Sequence, residues 1–576
     1  MAMIERAAAG GHLGRLRALG APALALLLLA YFALTSLWPL ARLFVTALGA
    51  GEDGAALGLL RETVASPAFR RALANTVWAS AGSVGISLLL GTALALVTGL
   101  LRLPGRVLAS FLALSPVLIP AQIMALGWIE LMGASSPVLG PLGLAPAPGS
   151  RNPLYSGAGV AWLMGIEHMP LVFVALRSAL AALPADLVEA ARIAGAGRAR
   201  ILARVILPLT LPAAGAGALL AFAAAVGNFG VPALLGIPGR FPMLTTLIYQ
   251  RLNGFGPSVI GAVAAMALVL VVLALAALAL RQILQRRGAV PLAAGPGLRG
   301  FDPGRGRLPV LIALWLSLFA LAVAPMLALL GTALVPALGV TLSPETVTLV
   351  NFRDALASPA LRRAFVNSFT LAAAAGAISA AVAIVLGWLA GTARLRLARG
   401  LGWLADAGFT VPGTVLGLAM ILAWLRPLPG LGLSLYGTAA ILLLAYLGRF
   451  LPIVLRPVEA AIAATDPALD EAARIAGAGL WRRLVLIGAP PLLPAAVAGA
   501  LLIFMTAINE LTVSALLWSA GHETVGVMIF SMQYEGNSTG AAALSVLVLA
   551  LVGALVALLD RLGRGLPAGT LPWRAP

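Results

Sequence analysis

Groups able to do acid–base, nucleophilic or metal chemistry are scarce in this 576-residue sequence. There is no cysteine, which excludes disulfides, thiolate metal sites and thiol nucleophiles. The three histidines, His12, His168 and His522, lie too far apart in sequence to show metal-ligand spacing. Glu167 beside His168 is the one adjacent acid and base at membrane depth, and without clustered carboxylates or a serine partner it does not make an intramembrane enzyme. All 38 basic residues are arginine. A P-loop needs a lysine to reach the phosphates, so this chain does not hydrolyse ATP in that way.

The elements that hold these few groups are membrane helices. The sequence is 61% apolar and 10% charged, with mean hydropathy +1.02, whereas soluble domains carry about 25% charged residues. The net charge of +18 is spread in small arginine groups between apolar segments, which gives no basic face for nucleic acid. Twelve segments approach the roughly 20 apolar residues a span requires. The first six lie near 21–47, 72–101, 107–131, 158–180, 207–229 and 258–280, and the second six near 308–330, 364–392, 401–425, 436–458, 492–517 and 540–559. The first apolar run, Ala18 to Ala41, follows Arg6, Arg15 and Arg17. It exceeds the 7 to 15 or so residues of a signal-peptide core, so it is expected to stay as the first span. Placing the N-terminus inside puts Arg102, Arg106, Arg192, Arg198, Arg200, Arg204, Arg281, Arg286, Arg287, Arg299, Arg305 and Arg307 in inner loops of the first half. In the second half the inner set is Arg394, Arg396, Arg399, Arg474, Arg482, Arg483, Arg561 and Arg564. Outer loops receive fewer, a bias that predicts both termini in the cytoplasm.

The sequence also repeats itself. EAARIAGAG occurs at Glu189 to Gly197 and again at Glu471 to Gly479, a spacing of 282 (471 less 189). Pro208 and Pro212 recur as Pro490 and Pro494 at the same spacing, and SPAFRRALANT from Ser66 returns as SPALRRAFVNS from Ser358. Two halves are expected, 1–287 and 308–576, joined by a Gly/Pro/Arg-rich cytoplasmic linker, 288–307. Six spans each means that both copies enter the membrane in the same direction, unlike inverted-repeat transporters. The 282 spacing sets Glu167 opposite Arg449, both inside the fourth span of their half. An intramembrane charge costs at least about 2.5 kcal/mol, so the two are a candidate gate pair or packing lock, the alternative being local satisfaction of each.

The repeated block, with glycine at its seventh position and a proline thirteen residues later, resembles the EAA loop of ABC-importer inner-membrane permeases. Departures are Val205 at the pattern's isoleucine and Ala489 at its leucine, both apolar for apolar. The resemblance implies an all-α polytopic fold of about twelve transmembrane helices in two parallel repeats, the type I importer permease fold. It implies that the loops 189–208 and 471–490 hold coupling helices, with Glu189, Ala190, Ala191 and Gly195, and Glu471, Ala472, Ala473 and Gly477, meeting the ATPase. Two loops imply two copies of an ABC ATPase subunit, with ATP used there and no cofactor in this chain, and a periplasmic substrate-binding protein. The location implied is the bacterial inner membrane, among its lipids. Bottom-up, the carboxylates near helix starts suit the helix dipole and the glycine permits a turn.

The segments 227–252 and 509–537 look most similar to fused ferric-iron permeases; related fused permeases serve thiamine, polyamines and aminoethylphosphonate. Both segments interrupt the helical pattern on the outer side, where irregular backbone must face protein or water. Asn228, Tyr249, Asn509, Glu510 and Tyr534 are the candidate pathway residues there, with packing or solvation at the membrane edge as the alternative. An ion-coupled secondary transporter shares the span count and parallel halves but leaves the duplicated EAA loops unexplained.

Overall fold

A computed structural model describes residues 22–51, 54–255, 259–288, 300–393, 395–427, 432 and 434–562. Most of the predicted linker (289–299), the start of the first apolar run, and Arg6, Arg15, Arg17, Arg299, Arg394 and Arg564 lie outside these residues. Helices α1 (Pro22–Ala47), α2 (Pro67–Leu100), α3 (Arg106–Leu118), α4 (Ala121–Leu131), α5 (Gly157–Ala181), α6 (Ala185–Ile193), α7 (Arg198–Val226), α8 (Leu244–Phe255) and α9 (Ile260–Gly288) form the first half. The second comprises α10 (Gly304–Ala333), α11 (Pro359–Gly391), α12 (Arg396–Thr410), α13 (Gly413–Trp424), α14 (Ala439–Ala463), α15 (Ala468–Ile475), α16 (Leu480–Ala507), α17 (Val525–Tyr534) and α18 (Ser538–Leu562). Ten helices are long and apolar enough to cross a membrane, and up to twelve if each bent pair is one span. Among the described residues there is no β-strand, only an isolated bridge between Leu101 and Phe301.

The third span of each half, expected near 107–131 and 401–425, is bent in the middle. α3 and α4 meet at 106°, and α12 and α13 at 109°. The cause is proline at equivalent positions: Pro120 and Pro412 lie 292 apart (412 less 120), the spacing of the Ser66 and Ser358 blocks. Proline has no N–H to continue the ladder and drives the residue before it out of the helical region. Ile119 and Val411 accordingly sit at ψ 127° and 125°.

The halves are interleaved. α1 packs on α13 and α14 of the other half; on α14 the Leu447 carbonyl accepts from the Tyr31 hydroxyl (2.7 Å) and Gly448 leaves room for the Thr35 backbone. α10 packs in the same way on α4 of the first half, with Gly127 under the Pro325 carbonyl. Within each half, the fourth and fifth spans touch backbone to backbone. A Cβ on Gly217 would stand 2.9 Å from the Val172 Cα, and one on Gly499 would stand 2.7 Å from the Val454 Cα. Small residues permit this approach where apolar lipid supplies no hydrophobic drive for helix association. Close contacts of this kind fix the fourth and fifth spans, and those spans carry both the EAA helices and the charged residues of the interior.

Candidate translocation pathway and coupling helices

Each repeated block folds as a short helix between the fourth and fifth spans, α6 in the first half and α15 in the second. Gly195 and Gly477 end these helices in the left-handed region, at φ +78° and +77°. The Ala196 and Ala478 N–H groups reach back to the Ala191 and Ala473 carbonyls (2.9 Å each), a glycine-dependent helix stop. Glu471 and Asp470 lie in the first turn of α15, but Glu189 stands one turn inside α6, where Asp186 supplies the first-turn charge. Both glutamates therefore lie near the starts of their helices, Glu189 one residue deeper than Glu471. Glu189, Ala190, Glu471 and Ala472 are exposed, Ala191 is half-buried and Ala473 is buried. The residues missed by sequence reasoning are Ile193 and Ile475, exposed at 89% and 88% on these same helices. Isoleucine bared to that degree at both copies leaves an exposed apolar face on each helix. At the glycines, where no atom lies within 4 Å of an added Cβ, alanine strains only the backbone. Gly195→Ala and Gly477→Ala are each expected to cost about 1–2 kcal/mol, read as a lowered unfolding midpoint in detergent.

The two copies are anchored by different chemistry at the same positions. In the first half Val188 and Ile201 are buried in one apolar cluster with Leu100, Leu180 and Ile206. Their counterparts 282 residues on are Asp470 and Arg483, an ion pair in which Arg483 Nε donates to Asp470 Oδ1 at 2.9 Å and a second guanidinium nitrogen contacts Oδ2. Arg483 also stacks on Trp388, 5.4 Å from its ring centre. Asp470→Ala leaves Arg483 without its carboxylate and is expected to destabilise the second EAA helix by about 3–5 kcal/mol. The paired change Asp470→Val with Arg483→Ile, which copies the first half, is expected to recover most of that loss in a thermal-unfolding comparison.

A cavity of about 1390 Å³ lies between the halves. Its lining runs from the breaks in the third spans (Gln122, Pro412, Gly413) past Glu167, His168 and Arg449 on the fourth spans to Arg281, Gln282, Arg456 and Glu459. The latter group lies toward the helix ends that adjoin α6 and α15, so the cavity extends toward the EAA side. There Arg456 is paired with Asp406 and Glu459, the latter at 2.7 Å. The opposite end is blind. It is covered by the loops after the fifth spans, where Gly227 packs on Pro412 and Gln122 Nε2 donates to the Asn509 carbonyl (2.8 Å), each contact crossing between halves.

Glu167 and Arg449 both line this cavity, but they do not form an ion pair with each other. Each is held within its own half. Asn228 Nδ2 donates to Glu167 Oε2 at 2.7 Å, and Arg449 Nη1 lies 3.6 Å from Glu510 Oε1. The physical reason is visible in the repeat: Asn228 and Glu510 are themselves 282 apart, so the structure makes the same span-to-loop contact twice with different charges. Asn228 Oδ1 also accepts from the Val231 N–H (3.2 Å), as Glu510 Oε1 accepts from that of Val513 (2.9 Å). His168 Nε2 stands 4.0 Å from Glu167 Oε1. Asn228, Asn509 and Glu510 are buried, away from an exposed outer edge. Tyr249 packs on Phe229 and Phe530, with ring centres 5.1 and 6.0 Å away, and Tyr534 stacks on Phe530 at 5.9 Å while staying largely exposed. That aromatic group joins the two loops.

A family model for the inner membrane component of binding-protein-dependent transport systems matches residues 84–290 and again 383–567. The chain belongs to this family. Each match begins within the second span of its half and runs through the EAA helix to the sixth span. The permease is 28% identical over 515 residues to a probable ABC transporter permease of Sinorhizobium fredii, covering 88% of this chain and 90% of that one. It is 26% identical to a putative ferric transport system permease of Haemophilus influenzae, covering 87% of this chain and 78% of the relative. A putative 2-aminoethylphosphonate transport system permease of Salmonella choleraesuis matches at 31% identity over 220 residues, 37% of this chain and 75% of the relative. The permease is thus a multi-pass inner-membrane transport protein of the type I importer fold, with two parallel repeats.

Proposed function

We propose that this permease forms the translocation pathway of an ATP-driven importer for ferric iron, delivered by a periplasmic binding protein. The observation that carries the importer reading is the duplicated EAA helix, exposed at the end of an inter-half cavity. α6 and α15 each dock one ATPase subunit, which closes and parts as it binds and hydrolyses ATP. Because each helix is continuous with, or close to, the fourth and fifth spans, motion of the docked subunits moves those spans and the cavity between them. The EAA side, with both chain ends, faces the cytoplasm, so the cavity as described is the inward-facing state.

Ferric iron as cargo rests on similarity to ferric transport permeases over most of the chain's length. Among the described residues no three His, Cys, Asp or Glu side chains converge as a metal site, and in this reading the binding protein selects the cargo. The aminoethylphosphonate relatives support a second cargo, since their match is higher in identity although confined to 37% of the chain. The test is ATP hydrolysis by the reconstituted permease, ATPase and binding protein. Ferric-loaded binding protein is expected to stimulate it, whereas stimulation by thiamine, polyamine or 2-aminoethylphosphonate and not by ferric iron overturns the cargo assignment.

A further inference from the structure

The contacts Glu167–Asn228 and Arg449–Glu510 occupy equivalent positions in the two halves but invert the charge on the fourth span. In the first half the span carries the acid and the loop a neutral amide. In the second the span carries the base and the loop the acid. Each contact ties the fourth span of its half to the first residues of the loop that covers the blind end of the cavity. These loops also cross to the opposite half at Pro412 and Gln122.

We infer that the two contacts are a pair of latches that hold this cover shut, and that both part before the pathway opens toward the binding protein. The inference rests on the proposed import cycle. Glu510 has little freedom of its own, since its carboxylate already accepts from the Val513 and Ser514 N–H groups (2.9 and 3.0 Å) and the Ser514 hydroxyl (3.0 Å). The loop and its acid therefore move as one unit, and the Arg449 guanidinium is the side that lets go. It lies over Gly413, where any side chain would occupy its place, and its Nη1 has no hydrogen-bond partner. At the equivalent site Ala121 is accommodated, opposite Gly230, where the second half pairs Gly413 with Thr512. The two latches thus join equivalent positions but differ in geometry and charge: a 2.7 Å hydrogen bond to a neutral amide in the first half, and a 3.6 Å approach of two charged groups in the second. Exchanging a pair between halves therefore takes the residue under the span's side chain, Ala121 or Gly413, with it.

The absence of cysteine provides the test, because Thr512→Cys places a single thiol at the blind end of the cavity. In the complete complex bearing that substitution, Asn228→Ala or Glu510→Gln is expected to raise labelling at position 512 by a membrane-impermeant maleimide, added from the binding-protein side, by at least about threefold. Binding-protein-independent ATP hydrolysis is expected to rise with it, a change that simple loss of folded protein does not produce. Glu167→Arg alone, which leaves two arginines at the blind end, is expected to lower transport at least about tenfold. Adding Asn228→Glu and Ala121→Gly, which rebuild the second half's pair and the space its arginine occupies, is expected to restore transport to within about threefold. Unchanged labelling in the latch variants, full transport by Glu167→Arg, or no rescue in a folded triple variant overturns the inference. The labelling needs no cargo. A failed import reading shows instead as an unsubstituted complex whose hydrolysis no loaded binding protein stimulates.

Discussion

Replacing Ile193 and Ile475 together with aspartate is expected to abolish transport and binding-protein-stimulated ATP hydrolysis while leaving the permease folded. The two side chains are almost fully exposed, so their loss removes no internal contact of the chain. Their value lies in the docked complex. Burying one isoleucine in a partner's groove contributes about 1.5–3 kcal/mol, and forcing an unpaired carboxylate into the same groove adds a desolvation cost of at least about 1–3 kcal/mol. Losing both amounts at both helices weakens docking by far more than a factor of ten per site. The measurement is retention of the ATPase subunit on affinity-purified permease, alongside the thermal midpoint of the permease alone. Single variants are expected to be intermediate, because the proposed function has α6 and α15 docking separate copies. Weakened retention with an unchanged midpoint separates this effect from misfolding.

The second large effect is on the fold itself. Gly217→Leu combined with Gly499→Leu is expected to leave little folded chain in detergent. At each position the first atom of the new side chain falls within 3 Å of a valine Cα on the fourth span, so backbone and not a flexible side-chain end must move. Overpacking of this kind typically costs about 1–3 kcal/mol per site. Here it acts at the span pair that frames each EAA helix, so coupling fails with it. Gly215, in the same helix but with no atom within 4 Å of an added Cβ, is the control. Gly215→Ala is expected to be neutral or to stabilise by up to about 1 kcal/mol of helix propensity, read as a raised unfolding midpoint.

These two cases also show what could be read from the sequence. Span count and the parallel repeat were legible because bilayer thickness imposes a length of apolar residues and duplication leaves identical blocks. The bends at Pro120 and Pro412 keep their flanks apolar, so hydropathy passes over them; the 292 spacing of the two prolines was the available signal. For the interior charges, the 282 spacing set Glu167 opposite Arg449, and pairing them with each other followed from considering that position alone. Applying the same spacing to Asn228 and Glu510 exposes the partner position, where the real contacts are made. The baring of Ile193 and Ile475 had no local signature. An isoleucine on a short helix is ordinarily a core residue, and only the packing of neighbours decides otherwise. The change from Val188 and Ile201 to Asp470 and Arg483 has the same character: two substitutions read as unrelated polar residues until the fold brings them together.

In the proposed function, ATP hydrolysed by partner subunits at α6 and α15 drives ferric iron through the cavity between the halves. This function is tested most directly by uptake of radiolabelled ferric iron into proteoliposomes holding the permease and its ATPase, with loaded binding protein on the side away from the EAA helices. Uptake is expected to require ATP on the EAA side, to survive collapse of proton and sodium gradients, and to disappear with Ile193→Asp plus Ile475→Asp. Uptake that continues without ATP and stops when the ion gradients are collapsed would contradict the proposed function.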